Sequence, residues 1–412
     1  TQIDQPELLG DHVADVCVIG GGYTGLSTAL YLANEGVNVL LIESNQIASG
    51  ASGANGGQVS GGMRRDQFYL EKTLGVDYAK TLWGIGEKSK YHAKELIDKY
   101  QIQCDYKKGI AHPNHKQKYC EESKQYVDHM IKNYDYKDMV YLSDDEMREV
   151  TGSDTYYGGS YDEAEAHCHH LNYALGIAKA ALSAGAKIYE NSPATSYKVL
   201  DDHVRVNTKN GSIKADRIVL ACNGYLENLE KSLTSKILPM NNYIVATKPL
   251  DDETVQKINP KDIAFADSRF VINYFRMSAD KRLLFGGGEN YSQELSKNIV
   301  PIVTRPLEKI YPFLKGIKID YAWGGKLAIT MNRLPFFASL HNEKVISAQG
   351  YSGQGVALAS YSGKIVSEKI TGTGEVFDIM SKIPRPSFPG GRFLRNPSMK
   401  IGMLYYSLLD RI

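Results

Sequence analysis

The stretch Asp15-Val16-Cys17-Val18-Ile19-Gly20-Gly21-Gly22-Tyr23-Thr24-Gly25 decides the fold. Asp15 to Ile19 reads as a short buried parallel strand. Gly20 to Gly25 satisfies G-x-G-x-x-G, and Leu26 to Glu35 follows with Leu26, Leu30 and Ala33 at helical spacing before Gly36 ends the helix. Val37 to Ile42 is a second apolar strand, closed by Glu43. Strand, glycine turn, helix, strand and acid together form a dinucleotide-binding fingerprint. Gly20 permits the tight turn, Gly22 lets a pyrophosphate approach the backbone, and Gly25 lets helix and strand pack closely. The helix N-terminus turns N–H groups toward the phosphates. Glu43 lies 21 residues after Gly22, where its carboxylate can accept ribose hydroxyls. Tyr23, Thr24 and Ser44 flank these positions and join the candidate cofactor set.

Composition narrows the function. The 412 residues suggest two or three domains. With 42% hydrophobic and 23% charged residues the chain is an ordinary globular one. Lys and Arg number 48 against 47 Asp and Glu, which gives no basic footprint for nucleic acid. No apolar run is long enough to span a membrane, and the opening TQIDQPELLGDH does not read as a secretory signal. The five scattered cysteines contain no C-x-x-C, so a reducing cytoplasm is expected, without a disulfide framework or structural zinc. G-x-S-x-G, H-E-x-x-H and the P-loop pattern are absent, which removes the common hydrolase readings.

The fingerprint alone does not choose between NAD and FAD. Three later segments favour FAD. Gly50-Ala51-Ser52-Gly53-Ala54-Asn55-Gly56-Gly57, with Gln58 after it, is a second small-residue loop. Ala215 to Gly224 is an apolar strand ending in small residues. Gly350-Tyr351-Ser352-Gly353-Gln354-Gly355-Val356 opens a helix over Ala357 to Ile370, whose N-terminus suits a polarised ring carbonyl. A chain that returns three times to one ligand suits a large cofactor.

On these residues the chain resembles the glycine oxidase, sarcosine oxidase and D-amino acid oxidase superfamily of flavoproteins. GASGANGGQ (50–58) and GYSGQGV (350–356) carry the superfamily resemblance. YQIQCDYKKG (100–109), NYFRMSADKRLLFGGG (273–288) and FPGGRFLR (388–395) are further points of likeness, the last two favouring its gamma-glutamylputrescine-oxidising branch. One departure is His170, where similar sequences carry proline, so a different local backbone is expected.

The resemblance and the residue pattern together imply an α/β fold. A discontinuous Rossmann-type FAD domain (1–75, 146–240, 326–382) is joined to an α+β substrate domain on a mixed sheet (76–145, 241–325), and an arm with a helix over Met399 to Leu409 follows (383–412). Helices are expected over Asp77 to Tyr100, Lys116 to Tyr134 and Leu171 to Gly185. Strands are expected near Gln101 to Ala111, over Ala186 to Glu190, Val204 to Thr208 and Ser212 to Leu220, and over Asn242 to Thr247, Phe265 to Tyr274 and Arg282 to Gly287.

The resemblance also implies a reaction. A primary amine gives hydride to flavin N5, the imine hydrolyses to an aldehyde, and O2 is reduced to H2O2. The partners are thus an amine and O2, and the oligomeric state stays open. A secondary-amine or amino-acid oxidase, or a flavin-binding protein without turnover, are the alternatives. Tyr274 is a candidate pocket wall or hydrogen-bond donor. Arg276 is the first choice for a substrate carboxylate and Arg65 the second, with neighbouring Arg64 in the same pair. His169, with His167, is read as structural or as placed beside the flavin; the ligand count does not support a metal. Glu289 and Trp323 are further wall candidates.

Superfamily members with covalent flavin use a Cys near the return to the flavin domain or a His beside the early glycine loop. Leu327 to Asn332 contains no Cys and Gly50 to Gly57 no His. Acid precipitation of the yellow protein is therefore expected to leave FAD in the supernatant; fluorescence that migrates with the denatured chain on a gel would refute non-covalent binding.

Overall fold

The computed structural model describes residues 3–290 and 295–388. The helix expected over Met399 to Leu409, and the arm beyond Phe388, lie outside the described residues. The decisive stretch folds as β1 (Gly10–Ile19), α1 (Tyr23–Asn34) and β2 (Val39–Ile42). β1 starts earlier than its apolar run because Gly10 to Ala14 pair in parallel with Gly211 to Ala215, although this half is largely exposed.

Five parallel strands form the centre of the first sheet, in the order Val345–Gln349, Gly211–Leu220, β1, β2, Lys187–Tyr189. Phe336–Leu340 adds an antiparallel edge. Ser196–Val199 and Val204–Asn207 form a meander with the first half of Gly211–Leu220, through the hairpin expected at Asn210-Gly211. Val16, Val18 and Leu41 pack against α1, His170–Ser183 and Val356–Thr371 on one face. Cys17, Ile19, Leu40 and Ile42 pack against the meander side on the other. β1 lies between β2 and Gly211–Leu220, so the strand order switches at its C-terminal end, where open α/β sheets form their ligand crevice.

The second sheet has nine strands. Its main path runs Ile319–Ile329, Leu238–Thr247, Leu283–Asn290, Tyr274–Met277, Ala264–Ala266, Lys107–Asn114, Tyr157–His167, Gln58–Val59. It is mixed, as expected, because Ala264–Ala266 pairs in parallel with Lys107–Asn114. The single strand expected over Phe265 to Tyr274 is in fact two strands. Asp267 breaks it: its carboxylate accepts the backbone N–H groups of Arg269 and Asn273 and the side chain of Asn273, turning the chain back. Tyr274 therefore begins a strand rather than ending one.

Phe275 stacks between Phe265 and Phe285 on one face of this sheet, over a core that includes Val303 and Leu307 of the helix Val300–Ile310. Alternation sends Tyr274 and Arg276 to the opposite face, toward the glycine loops. His112 follows core residue Ala111 and shares that opposite face.

Where α1 crosses β1, a Cβ on Gly25 would lie 1.9 Å from the carbonyl oxygen of Gly20. No side chain fits without lifting the helix from the strand. Gly25→Val is expected to destabilise the fold by about 3 kcal/mol, the range of overpacking in a tight core; an unchanged denaturation midpoint would show that this crossing does not constrain the fold.

Candidate active site

The glycine turn, Glu43 and the loop after β2 enclose a cavity of about 490 Å3. Its walls include Gly20, Gly22, Glu43, Ser44, Gly50, Ala51, Ser52 and Cys222. Glu43 Oε2 accepts the Gly21 N–H at 2.7 Å, while Oε1 accepts the Ser44 hydroxyl at 3.0 Å and the Asn45 N–H at 2.9 Å. The acid thus ties the end of β2 to the turn at the end of β1. α1 begins at Gly22 without a side-chain cap and with no acid in its first turn, which leaves its positive end to a ligand. A Cβ on Gly22 would approach Ser52 Oγ to 2.9 Å. Ser52 Oγ itself accepts the Tyr23 N–H at 3.0 Å. Asn55 braces the loop by donating to the carbonyls of Ala51 and Ser52 and accepting from Gly57 N–H.

Tyr23, Thr24 and Gly25 stand behind this cavity. The Tyr23 hydroxyl donates to the His170 carbonyl at 2.9 Å. Thr24 shares a 2.7 Å hydrogen bond with the Tyr351 hydroxyl, which links α1 to the Gly350–Val356 segment. There Gly353 takes a positive φ of 93° and Gly355 caps the helix Val356–Thr371 without a side-chain bond. The Gln354 amide donates to the Gly61 carbonyl. Arg64, also at positive φ, donates from Nε to the Ser352 carbonyl at 3.0 Å. Arg65 donates to the Asn332 carbonyl at 3.3 Å and stacks on Tyr69, with 4.4 Å to the ring centre. Arg64, rather than the favoured Arg65, is the member of the pair bonded to the loop that opens this helix.

The second sheet closes over Gly56 and Gly57. A Cβ on Gly56 would meet the Tyr274 ring at 2.7 Å. The Tyr274 hydroxyl donates to Asn242 Oδ1. Arg276 is only 2% exposed and donates from Nε to the Gly56 carbonyl at 2.7 Å and from Nη1 to the Met277 carbonyl at 3.0 Å. It clamps the glycine loop to the sheet and places a buried cation there. His169 is exposed and caps the helix His170–Ser183, accepting the Asn172 N–H. His170 occupies the first helical position, one that also suits proline. Burial first, then the charges of Arg276 and His169, pull the His170 pKa down to about 3, so its ring is neutral near pH 7. It stacks on Trp323 with ring centres 6.2 Å apart.

This architecture fits FAD on two grounds besides the cavity. Two helix N-termini, at Gly22 and Gly355, carry no cap from their own N-cap residue, and the Thr24–Tyr351 hydrogen bond brings the segments that open them together. Beside the Gly53–Gly57 loop, Gln58 Nε2, His170 Nδ1 and Trp323 Nε1 are buried without a hydrogen-bond partner among the described residues, and buried polar atoms of this kind call for one.

The sequence reading missed His112 and Glu165. His112 Nε2 lies 3.1 Å from Glu165 Oε2 on the loop-facing side of the second sheet. No motif marks the pair. Only the alternation in Ile110-Ala111-His112 hints that His112 leaves the core face.

The family model for FAD dependent oxidoreductases, DAO, matches residues 15–369. Gamma-glutamylputrescine oxidoreductase of Escherichia coli is 36% identical over 402 residues, covering 97% of this chain and 93% of that protein. A probable oxidoreductase, OrdL, of Haemophilus influenzae is 36% identical over 98% of this chain and 94% of its own length. In fold, glycine oxidase from Geobacillus kaustophilus superposes with a TM-score of 0.76 at 19% identity, covering 92% of this chain and 100% of that one. The chain belongs to the DAO family of FAD-dependent oxidoreductases.

Proposed function

We propose that this protein oxidises a primary amine of the gamma-glutamylputrescine kind, with O2 as electron acceptor and H2O2 as product. The observation that carries the reading is the sheet face opposite the Gly350–Val356 loop. Cross-strand register sets His112 beside Ala266, Ala266 beside Tyr274, and Tyr274 beside Gly286. Ala266 is small, and strands stand about 5 Å apart, so His112 and Tyr274 flank a trough wide enough for an alkyl chain. Support for the amine class comes from the 36% identity to gamma-glutamylputrescine oxidoreductase over nearly the whole chain.

FAD, when bound, supplies the two-electron acceptor; the protein supplies position and electrostatics. Tyr274 walls the trough, with its hydroxyl fixed by Asn242. Arg276 holds the Gly56 backbone in place and favours negative charge beside the loop. Nothing in this arrangement is a hydrolytic nucleophile–base pair. Arg276 is buried and held by two backbone carbonyls, whereas Arg65 is half-buried with one long bond to a carbonyl, and we assign the carboxylate to Arg65.

Four outcomes are expected. Gamma-glutamylputrescine bleaches the flavin absorbance anaerobically and yields H2O2 in air. Bleaching only by a secondary amine or an amino acid would replace the substrate assignment, and no bleaching by any amine would mark a binding protein. Arg65→Ala lowers kcat/KM for gamma-glutamylputrescine by about tenfold, the loss of a hydrogen bond to a charged group at a half-buried side chain, with little loss for putrescine. Arg276→Ala lowers both alike, because it loosens the loop; a loss confined to the glutamylated substrate would return the carboxylate role to Arg276. Gly22→Val yields folded, colourless protein, since a branched side chain would fill the nucleotide cavity beside Ser52.

A further inference from the structure

Behind the trough lies a buried set of titratable groups. Glu165 Oε2 meets His112 Nε2, and Glu165 Oε1 accepts the Gly61 N–H at 3.2 Å. The carbonyl of the same Gly61 accepts the Gln354 amide. One residue, Gly61, therefore separates the His112–Glu165 pair from the segment that opens the helix Val356–Thr371. Deeper in, the Tyr136 hydroxyl donates to Asp162 Oδ2 at 2.6 Å, and Lys90 Nζ donates to the Tyr136 hydroxyl at 2.8 Å. Lys90, 1% exposed, also pairs with Glu87 Oε2 at 2.8 Å. Glu87 Oε1 is buried with no partner among the described residues.

Three carboxyl groups (Glu87, Asp162, Glu165) thus face two basic ones (Lys90, His112). Full ionisation of such a set in a low-dielectric interior is costly, so it retains protons near neutrality. Burial raises the Glu87 carboxyl to about 7 against the pull of Lys90, and burial with the charge of Glu165 raises Asp162 to about 6. Burial pulls the His112 pKa down, but the hydrogen bond and charge of Glu165, the charge of Asp162 and the Ala266 carbonyl outweigh it and hold the value above the ordinary one.

We propose that His112, backed by Glu165, takes the proton that the substrate ammonium must lose before its carbon can give up hydride. The proposal rests on the amine reading above. An N–H bond of the ammonium breaks, its electron pair stays on nitrogen, and the proton bonds to the imidazole. The proton goes to Nδ1, and the imidazolium is held through Nε2–H by the Glu165 carboxylate. The other candidates on this side are unsuited. His170 is buried and too weak a base, Lys90 is a buried ammonium, and Tyr274 is held by Asn242. The His112 side chain keeps 38% of its surface open, so a substrate can reach it.

The test uses the FAD-loaded protein and tert-butylamine, which has no hydrogen on the carbon bearing nitrogen and cannot be oxidised. Binding is read from the perturbation of the flavin absorption band. In the parent protein the ammonium proton moves to His112 without leaving the complex. Affinity should therefore be flat with pH between the His112 ionisation and that of the free amine near 10.4. In His112→Gln the proton must go to solvent, so affinity should tighten about tenfold per pH unit. Glu165→Gln, which keeps the imidazole but weakens it as a base, should begin its flat region at lower pH. The same slopes are expected in the second-order rate of anaerobic flavin bleaching by a reducible primary amine. Equal slopes in parent and His112→Gln proteins would overturn the proposal while leaving the amine reading intact. Failure of every primary amine to bleach the parent flavin would instead remove that reading itself.

Discussion

The architecture depends on the contact between α1 and β1, where Gly25 lies against the Gly20 carbonyl with no room for a side chain. The contact sets where the helix starts, and hence where its unpaired N–H groups point. Glu43 then fixes the second strand to the same turn through the Gly21 N–H. Ser52 brings in the small-residue loop by binding the Tyr23 N–H, and Tyr351 ties in the C-terminal glycine segment through Thr24. Each later element is positioned against the first glycine turn by a polar contact.

The two sheets divide the work. The parallel sheet provides a rigid crevice at a strand-order switch, and its backbone N–H groups supply much of the nucleotide cradle. The mixed sheet provides side chains. Its outer face is fixed by the stack of Phe265, Phe275 and Phe285, which leaves the register of the inner face little freedom. Arg276 joins the two through the Gly56 carbonyl and is deeply buried. A buried guanidinium bonded to carbonyls is costly unless it holds something in place or stabilises charge nearby. Here it holds the Gly56 carbonyl of the small-residue loop against the mixed sheet.

Much of this was legible in the sequence where the determinants are local. The turn Gly20 to Gly25, the helix behind it and the helix opened by Gly355 are each signalled by a short local pattern, and the structure has both helices within three residues of the bounds read from it. The break at Asp267 was missed because an acid inside an apolar run gives no sign that its carboxylate will bind backbone N–H groups two and six residues on. His112 and Glu165 were missed for another reason: their meeting depends on cross-strand register, which no spacing along one chain segment encodes. Arg64 and Arg65 are neighbours in sequence, but only their backbone angles decide which faces what: Arg64 turns to the Ser352 carbonyl and Arg65 to the Asn332 carbonyl.

The most direct test is an experimental structure of the FAD-loaded protein with tert-butylamine bound. The account predicts the adenine half in the cavity bounded by Gly22, Glu43 and Cys222, the ring against the N-terminus of the helix Val356–Thr371, and the amine nitrogen between that ring and the sheet face, within hydrogen-bond reach of His112. An amine bound on any other face of the ring, or a ring turned away from the trough between His112 and Tyr274, would contradict it.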